Sequence, residues 1–482
     1  MHAVSRYKAQ PRWNRIGTAL EVVKTTTADS DVGLLAGIGQ RFLSFCDRFG
    51  SHFRRRTRTV ETSVKHYLRG LFQAKTKNME RMEEVVPEAD HQALHHMLSE
   101  SAWEERVVLD QVAQDANRHL GGHPDSSLII DESGCPKKGT QSVGVARQWC
   151  GQLGKVENCQ VGVFAALGRG TEATLIDERL FLPERWTKDP ERCQAAGIPA
   201  EQRDFKRKHD LALEMITHAR QNGIGFAWVG FDGLYGSDPA LLRTLDDQGE
   251  SFVGDVHKDQ RIYLDDPHPI VPPPARPSGR PPTRRQAQTA ARRVDQWTQQ
   301  QPAEAWQRVN LRDGTKGPLR VDILHRRVWL WDGTEPQARQ WHLIVRREVD
   351  TPTEIKYSLS NALADTPAPR LAFMQGQRYW IERALQHGKQ DVGLGDYQVR
   401  SWRGWHHHMA LVMMALLFTL EERLLHHQTR PLLSGTDIRA LLNHFLPRRD
   451  TTLEEVLRQM EVRHRKRQAA TDSAHRRQQL KE

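Results

Sequence analysis

Cysteine is scarce in this chain: Cys46, Cys135, Cys150, Cys159 and Cys193 are the only five in 482 residues, and no two form a CxxC pair. An odd, sparse set cannot build a disulfide framework, and the spacings match no common zinc module. Buried thiols in a reducing compartment are the expectation. Long apolar runs are missing as well. The longest, Met409 to Leu420, falls short of the ~20 helical residues that cross a bilayer. The opening MHAVSRYKAQPRW has no apolar stretch of signal-peptide type. With hydrophobic residues at 38% and charged ones at 27%, the expectation is a cytoplasmic protein with no membrane association. An acidic excess is also absent. Lys and Arg number 70 against 60 Asp and Glu, a formal charge of +10, which favours a polyanionic partner without naming one.

The length allows about three structural units at ~150 residues each. Residues 1–36 read as an N-terminal extension and 37–120 as a helical block. Phe42, Phe45, Phe49 and Phe53 recur at helix spacing, as do Val64, Tyr67, Leu68, Leu71 and Phe72. Ser101-x-x-Glu104 has the form of a capping box ahead of Val107, Val108 and Val112. Arg54, Arg55, Arg56 and Arg58, followed by Lys65, Arg69, Lys75 and Lys77, make the block basic. Such a run is either a solvated helix face or a DNA-binding surface that contacts phosphates.

From about residue 125 the pattern changes to strand, helix, strand, which implies an α/β fold. Ser126 to Ile130 reads as a buried strand ending on Asp131, and Phe226 to Phe231 as another ending on Asp232. Between them lie β-rich stretches around residues 143–146, 159–168 and 175–182, and a helix over 204–222. Eight prolines between Pro267 and Pro282, interleaved with arginines, open a loop of polyproline character. It leads into β-like pieces that run to about residue 347. A helix is expected near 371–387, and an all-round apolar, buried one over 405–425. The tail from Glu461, with seven Lys or Arg against three acids, reads as a frayed helix or disordered arm. Residues 121–260 and 348–430 thus form two parts of one core around a Pro/Arg-rich and β-rich insertion at 261–347, with a basic helical tail at 431–482.

Three carboxylates could carry chemistry. Asp131 and Asp232 end apolar strands and precede small residues, Ser133-Gly134 and Gly233, where an α/β sheet opens its crevice. Glu382 follows Arg378 by one helical turn and precedes Lys389. That spacing alone reads as an ordinary ion pair. Taken together, two strand-end Asp and one helix-borne Glu are what a two-metal phosphoryl-transfer site needs. The expected cofactor is two Mg²⁺ ions, with Mn²⁺ able to substitute.

The run from Asp131 through Glu-Ser-Gly-Cys-Pro-Lys-Lys to Val163 resembles the first catalytic block of bacterial insertion-sequence DDE transposases, in particular the seven-hundred-one family. Trp228-Val-Gly-Phe-Asp232-Gly-Leu-Tyr235-Gly236 is similar to the second block, and Arg378-x3-Glu382-x6-Lys389 to the third. Gln375 stands where the related signature has tyrosine, and Glu132 where Asp is more usual. Spanning roughly residues 40–425, the resemblance implies an RNase H-like core with a mostly β insertion and an N-terminal helical domain. It also implies Asp131, Asp232 and Glu382 as catalytic metal ligands, with Arg378 and Lys389 on DNA near the scissile phosphate.

On that footing the expected activity is DNA transposition: binding of inverted-repeat ends, hydrolysis to free 3′-OH groups and joining to target DNA, by a homodimer at the nucleoid. The rivals are an RNase H-like nuclease without strand transfer and a domesticated, non-catalytic DNA-binding protein; a glycosidase fits the basic surplus poorly. Lys137 and Lys138 are candidate DNA contacts. Trp329, flanked by Val328 and Leu330 and followed by Trp331, reads either as sheet packing or as a platform for a displaced base. His406, His407 and His408 are expected to face solvent or DNA.

Overall fold

In the computed structural model the described residues are Gly33, 35–55, 58–273, 282–314 and 317–479. The N-terminal extension lies almost wholly outside them, as does Arg56. Ten strands build one mixed sheet: β1 (Ser126–Pro136), β2 (Ala146–Cys150), β3 (Lys155–Arg169), β4 (Glu172–Leu180), β5 (Trp228–Phe231), β6 (Phe252–Val256), β7 (Gln307–Gly314), β8 (Gly317–Leu330), β9 (Arg339–Glu348) and β10 (Ile355–Ser360). Their order is β7-β8-β9-β10-β6-β5-β1-β3-β2, with β4 also paired to β3. Only β1–β5 and β5–β6 are parallel. These are the strands whose apolar runs, Leu128-Ile-Ile and Val229-Gly-Phe, are buried throughout, as parallel strands covered on both faces must be.

The molecule is therefore mixed α/β, as expected. The β-rich segment after the proline loop does not stand apart. Its strands run through β10 onto β6 and continue the same sheet. Pro274, Pro277 and Pro281 of the loop lie outside the described residues, while the segments that flank it are regular. Arg261–Ile262 pairs with Arg292–Arg293, and a short helix over Val294–Gln299 buries Trp297.

The helical block comprises α1 (Ile38–Arg48), α2 (Glu61–Gln73), α3 (Met79–Val85), α4 (His91–Ser99) and α5 (Glu105–Leu120). After the sheet's first strands come α6 (Lys208–Gln221) and α7 (Pro239–Asp247); α8 (Ala368–Gln377), α9 (Tyr379–Gln390), α10 (Trp402–Leu425), α11 (Gly435–Phe445) and α12 (Leu453–Gln479) follow β10. Helix α10 is the hub. Its Met409 to Leu420 run is buried almost without interruption, and each such Leu, Met or Phe contributes roughly 1.5–3 kcal/mol of burial. Phe418 meets Phe42 and Phe45 of α1 with ring centroids 5.2 and 5.4 Å apart.

Several expectations are corrected. His406, His407 and His408 are buried, not outward-facing. His406 bonds Glu178 at 2.7 Å, His407 stacks on Trp103 at 3.8 Å, and His408 takes the Tyr67 hydroxyl at 2.8 Å. Three consecutive residues can all be buried because α10 is covered on every side. Arg54 and Arg55 form a short strand paired antiparallel with Arg58–Thr59, not a helix. Glu104 is the residue before α5, so Ser101 lies too far upstream to cap it. Trp103 is turned inward there, its indole N–H donating to the Met97 carbonyl, which keeps the approach extended. The expected helix over 371–387 is two helices meeting at Arg378. As far as Gln479 the described tail is a continuous helix, α12, with no buried residue, held to α3 by Arg463–Glu84 at 2.7 Å.

Candidate active site

Strand β1 does not end at Asp131, as its apolar run implied. It continues to Pro136 against β3, while its parallel partner β5 stops at Phe231, opposite Ile130. Asp131 and Asp232 are thus each the first residue beyond the parallel pairing, on neighbouring strands. Asp232 begins a helical turn and accepts the Leu234 N–H at 3.0 Å. Asp131 accepts the Glu132 N–H at 2.7 Å. Glu382 projects from the first turn of α9. All three line one cleft of about 1210 Å³, with Lys258, Arg293, Lys356, Arg378 and Lys389 also on its walls.

Arg378 ties the acidic groups together. Its Nη1 lies 2.7 Å from Glu382 Oε1 and 3.9 Å from Asp131 Oδ2. Those two carboxylates therefore bracket a single nitrogen, and their separation cannot exceed the sum of the two distances. Its Nε lies 3.1 Å from Asp255 Oδ2. Asp131 is pushed up to about 7, by burial first and by the Asp232 charge second, against the opposing pull of Arg378. Asp232 is raised too, by burial and then by Glu132. The acidic neighbours outweigh burial at Arg378 and keep it firmly protonated.

Glu132, beside Asp131, is already satisfied. It accepts from Lys208 at 2.9 Å and from the Tyr235 hydroxyl at 3.1 Å. Asp255, in β6, is a cleft residue that the sequence reading missed. Its signal was the same as that of Asp131 and Asp232, an apolar strand (Phe-Val-Gly) running into Asp. Trp149, Lys258, Arg293 and Lys356 also line the cleft unannounced.

The basic candidates separate. Arg378 and Lys389 line the cleft. The Lys137 ammonium instead donates to the Tyr397 carbonyl at 3.2 Å and sits 3.4 Å from the centre of that ring. Lys138 is exposed and lies outside the cleft lining. Arg54 pairs with Glu61 at 2.8 Å, and Arg55 pairs with Glu104. Trp329 exchanges backbone hydrogen bonds with Tyr263 and does not line the cleft.

Among the described residues, no three Asp, Glu, His or Cys side chains are gathered as a ready cage for a metal ion. Glu382 is turned onto Arg378. The donor chemistry nonetheless fits a hard divalent cation. Two half-buried carboxyls, Asp131 and Asp232, lie close enough for one to raise the other's pKa, and Glu382 shares the Arg378 guanidinium with Asp131. All three offer oxygen alone.

A curated relative from Microchaete diplosiphon, the probable transposase for insertion sequence element IS701, is 23% identical over 326 residues, covering 67% of this chain and 73% of that protein. The family profile described as DDE superfamily endonuclease matches residues 48–318. Asp131 and Asp232 fall inside that stretch and Glu382 beyond it. The match takes in more than half of the chain, which therefore belongs to the DDE superfamily endonucleases.

Proposed function

We propose that this protein is an insertion-sequence transposase that cuts and joins DNA at the cleft where Asp131, Asp232 and Glu382 meet. One observation carries the reading. Three carboxylates from distant parts of the chain open into a single cleft that also carries Lys258, Arg293, Lys356, Arg378 and Lys389, against the further acids Glu132, Asp255 and Asp259, so that cations stand beside the oxygen donors that attack on a phosphodiester requires. The parallel strands β1, β5 and β6 are read as the centre of an RNase H-like core, with β7–β9 as its insertion and residues 37–120 as the unit that recognises element ends.

Asp131, Asp232 and Glu382 would hold two Mg²⁺ ions, or Mn²⁺ in their place, which supply charge neutralisation and a more acidic attacking oxygen. The remaining work falls to the chain. Lys389, Lys258 and Arg293 hold the DNA backbone along the cleft. Arg378 releases Glu382 and turns to a phosphate oxygen, with Asp255 keeping its other edge in place. Water attacks phosphorus first, the P–O3′ bond breaks, and the element end is left with a 3′-OH. That hydroxyl then attacks a target phosphodiester, forming a new P–O3′ bond as the target's own 3′ oxygen leaves. Because two ends must be cut together, a homodimer on cytoplasmic double-stranded DNA is the working form.

A strand-joining assay with pre-cut ends tests the assignment. Joined product identifies a transposase; cleavage of intact ends with no joining identifies a nuclease on the same core. Binding to the ends with neither reaction identifies a non-catalytic descendant.

A further inference from the structure

A second pocket, of about 250 Å³, adjoins the catalytic cleft and shares Asp255, Lys356, Arg378 and Glu382 with it. Its remaining charged walls come from β7 and β9: Arg312, Arg346 and Glu348. The strand register places Arg346 of β9 directly opposite Lys356 of β10, so two cations share one face as a cross-strand pair. Like charges in that position destabilise a sheet. The arrangement is poorly compensated from within. Arg346 is 9% exposed; its Nη2 reaches Glu348 only at 3.5 Å, and its Nε has no hydrogen-bond partner. Arg312 lays its guanidinium 3.9 Å from the centre of the Tyr379 ring. Among the described residues, neither Arg312 nor Lys356 is in ion-pair contact with a carboxylate. Burial, and then the neighbouring cations Arg346 and Arg378, weaken the hold of Lys356 on its proton, with Asp255 and Glu382 opposing.

A buried guanidinium with an idle N–H costs stability unless something accepts from it. Arg346, Lys356 and Arg312 line this one pocket, and oxygen acceptors bearing negative charge form the strongest hydrogen bonds with such donors. We infer that this pocket is a second phosphate subsite, which takes a backbone phosphodiester of the bound DNA strand beside the one that is cut. Arg346 forms its floor, and Lys356 and Arg312 its mouth. The inference rests on the proposed DNA substrate and deepens it. The two phosphates would set the strand's register in the cleft, because Arg378 stands between the two sites.

The test uses the full-length protein and a labelled DNA duplex, with binding followed by fluorescence anisotropy across a salt series. Arg312→Gln is the cleaner variant, since Arg312 lines only this pocket, and Lys356→Gln is the second. Both positions lie away from the buried core, so folding is preserved, whereas a change at Arg346 risks it. Each variant is expected to bind three- to tenfold more weakly and to lower the slope of log Kd against log salt by about one. A scan replacing single phosphates by neutral methylphosphonates should find one position at which wild type loses affinity and Lys356→Gln loses nothing more. Unchanged slopes in both variants, with additive losses at every phosphate, overturn the subsite while leaving the DNA reading intact. Inorganic phosphate binding that Lys356→Gln abolishes, with the DNA slope unchanged, assigns the pocket to a free anion and also overturns it. Failure of the wild-type protein to bind DNA overturns the proposed function and this inference with it.

Discussion

Arg378 Nε lies 3.1 Å from Asp255 Oδ2, while Nη1 of the same guanidinium reaches Glu382 at 2.7 Å. Asp255 is itself held: it accepts from Ser358 Oγ at 2.5 Å, and Ser358 accepts from the Gln375 amide at 2.6 Å. Gln375 thus has a role where the related signature carries tyrosine. It anchors, through two hydrogen bonds, the carboxylate that orients Arg378.

Asp255→Asn keeps the Ser358 contact and removes the charge that fixes Arg378. DNA cleavage is expected to fall on the order of 10²-fold, the scale for a reacting group displaced by about an ångström. The melting temperature should move by only a few degrees. Single-turnover kinetics and a thermal melt check this; an unchanged rate would show that Asp255 does not position Arg378.

Gly236 packs against the strand that carries Asp255. A Cβ there would sit 2.1 Å from the Asp255 carbonyl oxygen and 2.9 Å from the Gly254 carbonyl carbon, both backbone. Gly236→Ala should cost about 1–3 kcal/mol of stability and lower cleavage by more than that loss explains. Denaturant unfolding, paired with cleavage measured well below the transition, separates the two effects.

Lys389 lines the cleft. Lys389→Ala should weaken DNA binding and make its salt dependence shallower by about one phosphate contact. A slope equal to that of wild type removes Lys389 from the interface.

His407 and His408 make the fold sensitive to acid. His407 is lowered to about 4, by burial, although the Trp103 and Leu98 carbonyls work the other way; His408 is lowered to about 3, by burial and the Lys137 charge. Both are neutral in the native state. As pH falls below the ordinary value of ~6.5, the unfolded chain takes up protons that the folded chain refuses. Stability is therefore full above that point and lost as pH drops toward 4 and then 3, at roughly 1.4 kcal/mol per unit of difference for each group. Thermal melts between pH 7 and 4.5 should show a steep decline, and a flat profile there contradicts the burial of this pair.

The parallel centre of the sheet and its carboxylates were readable because short apolar runs ending on Asp are a local signal. The all-round apolar pattern of residues 409–420 likewise declared a buried helix. What the sequence concealed depends on contacts between distant elements. Asp255 carries the same strand-then-Asp signature but was overshadowed by longer motifs. Lys137 looked free until the fold set Tyr397 beneath it. The three histidines, adjacent on one helix and so pointing in different directions, were expected to face solvent or DNA, because Glu178, Tyr67 and the carbonyls that satisfy them come from elsewhere in the chain. The extent of the sheet was hidden too, since nothing local says that β10 pairs with β6.

The proposed function requires Asp131, Asp232 and Glu382 to act on the reacting phosphate without being needed to hold the fold or the DNA. Asp131→Asn, Asp232→Asn and Glu382→Gln, each assayed for cleavage and for binding of DNA ends in Mg²⁺, test it most directly. Cleavage should disappear in all three while binding stays within a few-fold of wild type. Retained cleavage in any one of them, or binding lost together with cleavage in all, would contradict it.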